Sequence, residues 1–306
     1  EVKILFESVL MLQPRVSTGA GLSREDIIGK TAETLLEKTP QPWLMLDIQA
    51  AYPVMYEQSL NTVLQQECLR YNKLLVLMHS TLALVRKALK GIVVMSSELD
   101  TLATNLFNNQ VPSVWDSKAY PSLKSLVLWQ EDLGKRCAFV QNWIDNGVPV
   151  TFWISGFFFP QAFLTGTLQN YARAKQVGID TVSFDFRNQA VKHTEITERV
   201  TDGCIIWGCF LEGARWDVER TSLVESRPKE LFTSYVPVYL CPVMHRQKPD
   251  SKVTLMCPCY KILTRKGVLS TTGHSTNFVM TFEIPTNYPP AHWIKRGVAL
   301  FLALAY

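Results

Sequence analysis

Charge is scarce in this sequence and nowhere concentrated. Charged residues make up 19% of the 306, with 31 Lys and Arg against 27 Asp and Glu, for a net charge of +4. The absence of any block of like charges argues against a nucleic-acid arm and leaves no charge-based case for a membrane or filament partner. Apolar residues, at 47%, suffice to build a core, and there is too little charge to keep the polypeptide unfolded. The cysteines number seven and are widely spaced, and they are expected to follow no secretory leader. That pattern predicts free, buried thiols in a reducing, cytosolic compartment. The first residue is Glu1 rather than Met, which predicts a segment of a longer polypeptide. A repeat with a period of roughly 20 to 50 residues is also lacking, so a solenoid is excluded.

Complete catalytic motifs are missing too. Gly29-Lys30-Thr31 is the tail of a phosphate-binding loop, but Arg24 stands where the motif needs glycine, and the Lys falls inside a helical pattern. A solvated helix face accounts for it. Trp43 to Asp47 imitates a Mg²⁺-holding strand and acid, yet the run is short and Ile48 follows; Asp47 is expected to cap a helix. The segment is therefore expected to have no nucleotide or metal site and to need no cofactor. Cys257-Pro258-Cys259 is too tight for a zinc pair, and on a strand both thiols face one way, into a core. His274 beside Ser275 imitates a catalytic loop, but Gly-x-Ser-x-Gly fails at Asn277 and neighbours in a turn seldom hydrogen-bond as base and nucleophile. A hydrolase using His274 and Ser275, or Cys257, stands as the alternative function. Arg215-Trp216-Asp217 is either a salt-bridged corner or a hot spot on a partner surface; both readings stay open.

Helical periodicity fills the first half. Ser23 and Asp26 have capping-box spacing before a helix to Lys38. A long helix follows over about residues 57–90. Its apolar positions, from Leu60, Leu64, Cys68 and Tyr71 to Leu89, step by four and three. At 1.5 Å per residue it is on the order of 50 Å long, long enough to bridge modules. Ser97 to Phe107, with Ser97 and Asp100 as a second capping box, and Ser122 to Asn146 complete the helical part, 1–147.

The period then changes. Thr181 to Arg187 and Asn277 to Ile284 alternate strictly, and strand-like runs occur at 151–155, 203–211, 236–241 and 257–263. About six short strands with half-polar faces predict an antiparallel sheet, curled or closed to remove its edges. A last helix is expected over about His292 to Leu302. The class is α+β, with the strand-rich part over 148–306.

Val148 to Tyr171 has no charged side group, about the length of a membrane span. Pro149, Gly156 and Pro160 interrupt it, and its amide side chains would lack partners in lipid. It reads better as a strand, a turn at Gly156, and a helix over about 160–176 with Pro160 near its first position. Phe157, Phe158 and Phe159 then lie where the two parts meet.

Several stretches together resemble the C-terminal domain of dynein heavy chains. They are "WISGFFFPQAFLTGTLQNYAR" (153–173), "FLEGARWD" (210–217), "LSTTGHSTNFV" (269–279) and "HWIKRGVAL" (292–300). Upstream, "NTVLQQECLRYNKL" (61–74), "KGIVVMSSEL" (90–99) and "AYPSLK" (119–124) are similar to the same family. The phenylalanine run and the "STTGHSTN" turn resemble its axonemal branch, particularly inner-arm heavy chains. Residues 188–200 match nothing in the pattern. The resemblance implies a helical part leading into a six-stranded, incompletely closed antiparallel β-barrel. It also implies a place against the AAA+ ring of the same heavy chain, beside its last AAA+ module. The implied role is non-catalytic bracing, with ATP and Mg²⁺ handled elsewhere in a microtubule-binding motor of the cilium or flagellum axoneme. Implied partners are the AAA+ modules, microtubules and other dynein subunits, with no nucleic acid and no membrane. Candidate ring or interdomain contacts are Phe157, Phe158, Phe159, Arg215, Trp216, Asp217 and Trp293.

Overall fold

Ser23 and Asp26 close the capping box that their spacing predicts. Ser23 Oγ accepts from Asp26 N, and Asp26 Oδ2 accepts from Ser23 N, both at 3.1 Å. They start α1 (Arg24–Lys38) by satisfying two orphan amides. The computed structural model describes residues 23–245, 253–265 and 276–306.

Five more helices follow before the strands: α2 (Met45–Ala51), α3 (Ser59–Leu89), α4 (Ser97–Phe107), α5 (Ser113–Asp116) and α6 (Leu126–Asn146). The predicted stripe of α3 is buried except at its ends: Leu64, Cys68, Tyr71, Leu75, Met78, Leu82 and Val85 are 0–1% exposed, while Leu60 and Leu89 are half-buried. Three local expectations need correction. The cap of α4 is Ser96, extended at ψ 163°, whose Oγ accepts from Leu99 N; Ser97 is already helical. α6 starts at Leu126, four residues after Ser122. The amides of Leu126 and Val127 donate to the backbone carbonyl and the side-group oxygen of Asn109, which supplies the partners that an earlier turn of helix would have given. Asp47 lies within the first turn of α2 and does not cap it.

The uncharged run divides in the expected order, but the strand expected over 151–155 shrinks to β1 (Phe152–Trp153) because a 3-10 turn already takes Ile154–Gly156; α7 (Pro160–Ala174) follows with Pro160 in its first turn. The next strands are β2 (Val182–Asn188), β3 (Cys204–Trp207), β4 (Phe210–Glu212), β5 (Arg215–Asp217) and β6 (Ser222–Val224). Then come β7 (Phe232–Ser234), β8 (Val238–Met244), β9 (Thr254–Tyr260) and β10 (Phe278–Pro285), followed by helix α8 (Pro290–Lys295) and β11 (Ala299–Phe301).

The strands do not form the six-stranded antiparallel barrel. Among the described residues they make open sheets of four strands (β1-β3-β8-β2), five strands (β10-β9-β11-β4-β7) and two strands (β5-β6). Two pairs, β1 with β3 and β11 with β9, are parallel. The 203–211 run is cut by Gly208, at φ +99°. There the backbone leaves the four-stranded sheet and enters the five-stranded one.

The expected C-terminal helix is also corrected. Gly297 adopts φ +68°, and its amide and that of Val298 donate back to Ile294 and Trp293, ending α8 as a left-handed cap does. The apolar residues beyond it are buried on both faces because β11 lies between β9 and β4.

The described residues group into two compact units. Of the described residues, one takes 23–45, Cys68–Ala138 and Ala305–Tyr306; the other takes those within Leu46–Glu67 and Phe139–Leu304.

Candidate functional site

The three phenylalanines part company at the entrance to α7. Phe157 is buried. Its ring stacks on Phe163 at 4.4 Å and meets Phe139 and Trp143 of α6 edge-on at 5.5 and 6.2 Å. Phe152 of β1 lies 4.6 Å from Phe163. A Cβ on Gly156 would sit 2.7 Å from the Trp153 ring and 3.0 Å from the Phe139 ring, so the turn that aims Phe157 inward needs glycine there. Phe158 is half-buried, and Phe159 is 40% exposed with Lys261 Nζ 5.2 Å from its ring centroid.

Their backbone is held by a residue that the sequence reading missed. Glu67, 1% exposed, accepts from Phe158 N at 2.5 Å and Phe159 N at 3.0 Å. A carboxylate on these amides, just before the first turn of α7, is both hydrogen-bonded and favoured by the helix dipole. The signal was present: Glu67 lies seven residues after Leu60, on the apolar side of the heptad pattern.

The residues before and within the first turns of α3 form a groove of about 660 Å³ with α7. Ser59 N donates to Asn170 Oδ1 at 2.8 Å, and Arg173 donates to Ser59 Oγ at 2.7 Å and to the Tyr56 carbonyl. The Arg173 guanidinium also lies 4.3 Å over the Tyr56 ring, a cation–π contact. Val54, Met55, Tyr56 and Phe159 are exposed along this groove. They form an apolar rim of the kind that marks interaction surfaces.

The remaining predicted residues are scattered. Arg215, Trp216 and Asp217 form β5, paired with β6. Trp216 meets Tyr235 edge-on at 5.9 Å. Asp217 Oδ1 accepts from Glu219 N and Arg220 N, both at 3.1 Å, closing the turn after the strand. Trp293 is fully buried, and its Nε1 donates to Thr286 Oγ1 at 2.6 Å. In the stretch 188–200, His193 stacks on Trp207 at 3.7 Å.

The residues of the alternative hydrolase reading fall in different places. Cys257 and Cys259 are 0% exposed on one face of β9, as the strand pattern requires. Burial pushes the Cys257 thiol up to about 12, the opposite of what a nucleophile needs. His274 and Ser275 lie outside the described residues. Lys30 sits within α1, as a helix-face residue. Among the described residues, no group of three or more His, Cys, Asp or Glu is placed to hold a metal, and no helix is long and apolar enough to cross a membrane.

Comparison with known proteins agrees with the residues quoted above. The family described as the C-terminal domain of the dynein heavy chain matches residues 1–302. "Dynein axonemal heavy chain 1" of Rattus norvegicus is 54% identical over 306 residues, which is 100% of this chain and 7% of the relative's own length. The Homo sapiens protein of that name is 53% identical over the same span, with the same coverage. "Dynein axonemal heavy chain 3" of Homo sapiens is 44% identical over 299 residues, which is 98% of this chain and 7% of its own length. The sequence thus spans a small fraction of the relatives it matches. A family match over nearly every residue, carried by a motif-bearing strand-rich part and a long amphipathic helix, makes this protein a member of the family formed by the C-terminal domains of dynein heavy chains.

Proposed function

We propose that this protein is the C-terminal domain of an axonemal dynein heavy chain of the inner-arm type, acting as a non-catalytic brace on the AAA+ ring of the same heavy chain. The observation that carries this reading is identity along the entire sequence to axonemal heavy chains, 54% in one relative. The parent motor then works in the cytoskeleton of the cilium or flagellum axoneme. There it hydrolyses ATP with Mg²⁺ in its AAA+ modules, and it binds microtubules and other dynein subunits. This segment supplies surfaces rather than chemistry.

The physical role follows from what is rigid and what is exposed. α3 is 31 residues long, and a single helix resists bending over its length far better than a loop does. Directly after it, Ile92 and Val94 are 69% and 86% exposed. Exposed apolar residues at a helix end are suited to seat against a neighbouring module. The rim formed by Val54, Met55, Tyr56 and Phe159 offers a second seat. A brace that favours one nucleotide state of the ring by about 1 to 3 kcal/mol would change that equilibrium roughly 5- to 150-fold.

The test is removal of residues 148–306 from the full motor. ATP hydrolysis should persist, while stall force or run length in a single-motor assay should change. A truncated motor with unchanged force and run length would refute the brace.

A further inference from the structure

Beyond Glu67, α3 meets solvent along one narrow line. Its exposed residues from there to the helix end are Leu69, Lys73, Val76, Ser80, Leu84 and Lys87. They step by four and three, so at about 100° per residue they fall within an arc of roughly 80°. At 1.5 Å per residue the line is about 27 Å long. Behind it, Tyr71, Leu74, Leu75, Met78, Leu82 and Val85 are fully buried, so the core fixes which side of the helix faces out.

Two features set this line apart from an ordinary helix surface. The first is that its large apolar members are aligned. Leu69, Val76 and Leu84 are 42%, 55% and 40% exposed, and they recur after seven and eight residues, two turns each time. A single exposed apolar residue needs no explanation. A row of them at heptad spacing is one half of a helix–helix seam.

The second feature is the sign of the charge. No Asp or Glu occurs between Glu67 and Glu98. Lys73 and Lys87 stand on the line, and Lys90 follows the helix end. Arg86 is taken by Glu33 of α1 at 2.9 Å, but Lys73, Lys87 and Lys90 make no ion pair among the described residues. A solvated helix face commonly interleaves both signs; this one carries one sign only.

We propose that this line is the seat of a partner helix whose facing side carries apolar residues flanked by Glu or Asp. Leu69, Val76 and Leu84 supply the apolar contact, and Lys73 and Lys87 select an acidic partner over a basic one. The line is distinct from the exposed Ile92 and Val94 beyond the helix end. Removal of residues 148–306, the test of the bracing role, leaves it in place, so the two readings fail separately.

The probes are two fluorescein-labelled synthetic peptides of three heptads, with Leu at positions a and d. One has Glu at e and g and the other has Lys there, so like charges keep each from pairing with itself. Binding to the 306-residue protein is followed by fluorescence anisotropy. The acidic peptide should bind saturably, and at least about 5-fold more tightly than the basic one, as expected for two exposed ion pairs. Raised salt should narrow that difference. The double variant Lys73→Glu with Lys87→Glu should reverse the order of the two peptides. Val76→Gln should weaken the acidic peptide at least about 5-fold with the melting temperature unchanged, because the side chain is 55% exposed. Absence of saturable binding, equal affinity for both peptides, an unreversed order in the double variant, or full binding by Val76→Gln would overturn the proposal. So would co-sedimentation of the parent protein with phosphatidylserine vesicles that the double variant loses, which would make the line a membrane-facing surface.

Discussion

Phe157, Phe158 and Phe159 are neighbours in sequence with three different surroundings. Phe157 is packed against four aromatic rings, so truncation leaves a cavity as well as losing transfer free energy. Phe157→Ala should destabilise the protein by about 3 to 5 kcal/mol. Phe159→Ala, at a 40% exposed site, should stay within about 0.5 kcal/mol. Urea denaturation of both variants tests the contrast, and equal losses would mean that Phe159 is held more firmly than its exposure indicates. The divided character of the run was legible, because three successive rings cannot point one way. Which ring went inward was not legible. That choice depends on the Gly156 turn and on Glu67, which arrives from a helix 91 residues earlier to take the Phe158 amide.

At the scale of elements, local signals survived where one stretch could satisfy itself. The capping box of α1, the stripe of α3, Pro160 in the first turn of α7 and the alternation of β2 are all properties of a few adjacent residues, whereas the alternation expected from Phe278 is broken by a register shift between Phe278 and Met280 that buries Val279. Element ends departed from the local pattern where a distant group supplied the partner. Asn109 takes the first amides of α6, and β11 replaces the end of the expected helix because β9 and β4 flank it. The break at Gly208 belongs to this class. Its φ is +99°, and a Cβ there would lie 2.5 Å from Trp153 Cδ1. Gly208→Ala should therefore cost more than the roughly 1 kcal/mol of an ordinary glycine replacement. A melting temperature within about a degree of the parent, far less than such a loss would give, would show that the turn between β3 and β4 can relax.

At the scale of the whole molecule, both units carry buried thiols, and this sets their response to alkali. Burial pushes Cys137, Cys204 and Cys257 up to about 12, and the buried Tyr120 and Tyr235 move up for the same reason. In the unfolded state a thiol ionises near about 8.5. Below that value both states hold the proton and the folded state is at full stability. As pH rises toward about 12 the unfolded state loses protons that the folded state retains, so stability falls. Lys124, pulled down by burial, acts in the opposite sense and is a single group. The urea midpoint should drop between about pH 8 and about 11, and a constant midpoint would mean that water reaches the thiols. By itself the sequence determined the α+β class, the long helix, the family and the absence of a complete phosphate-binding loop, because these rest on periodicity and on contiguous motifs. Tertiary structure alone decided the open mixed sheets, the inward turn of Phe157 and the line along which α3 stays exposed. Strand partners and burial are set by residues far apart in the sequence, whose meeting leaves no pattern along it.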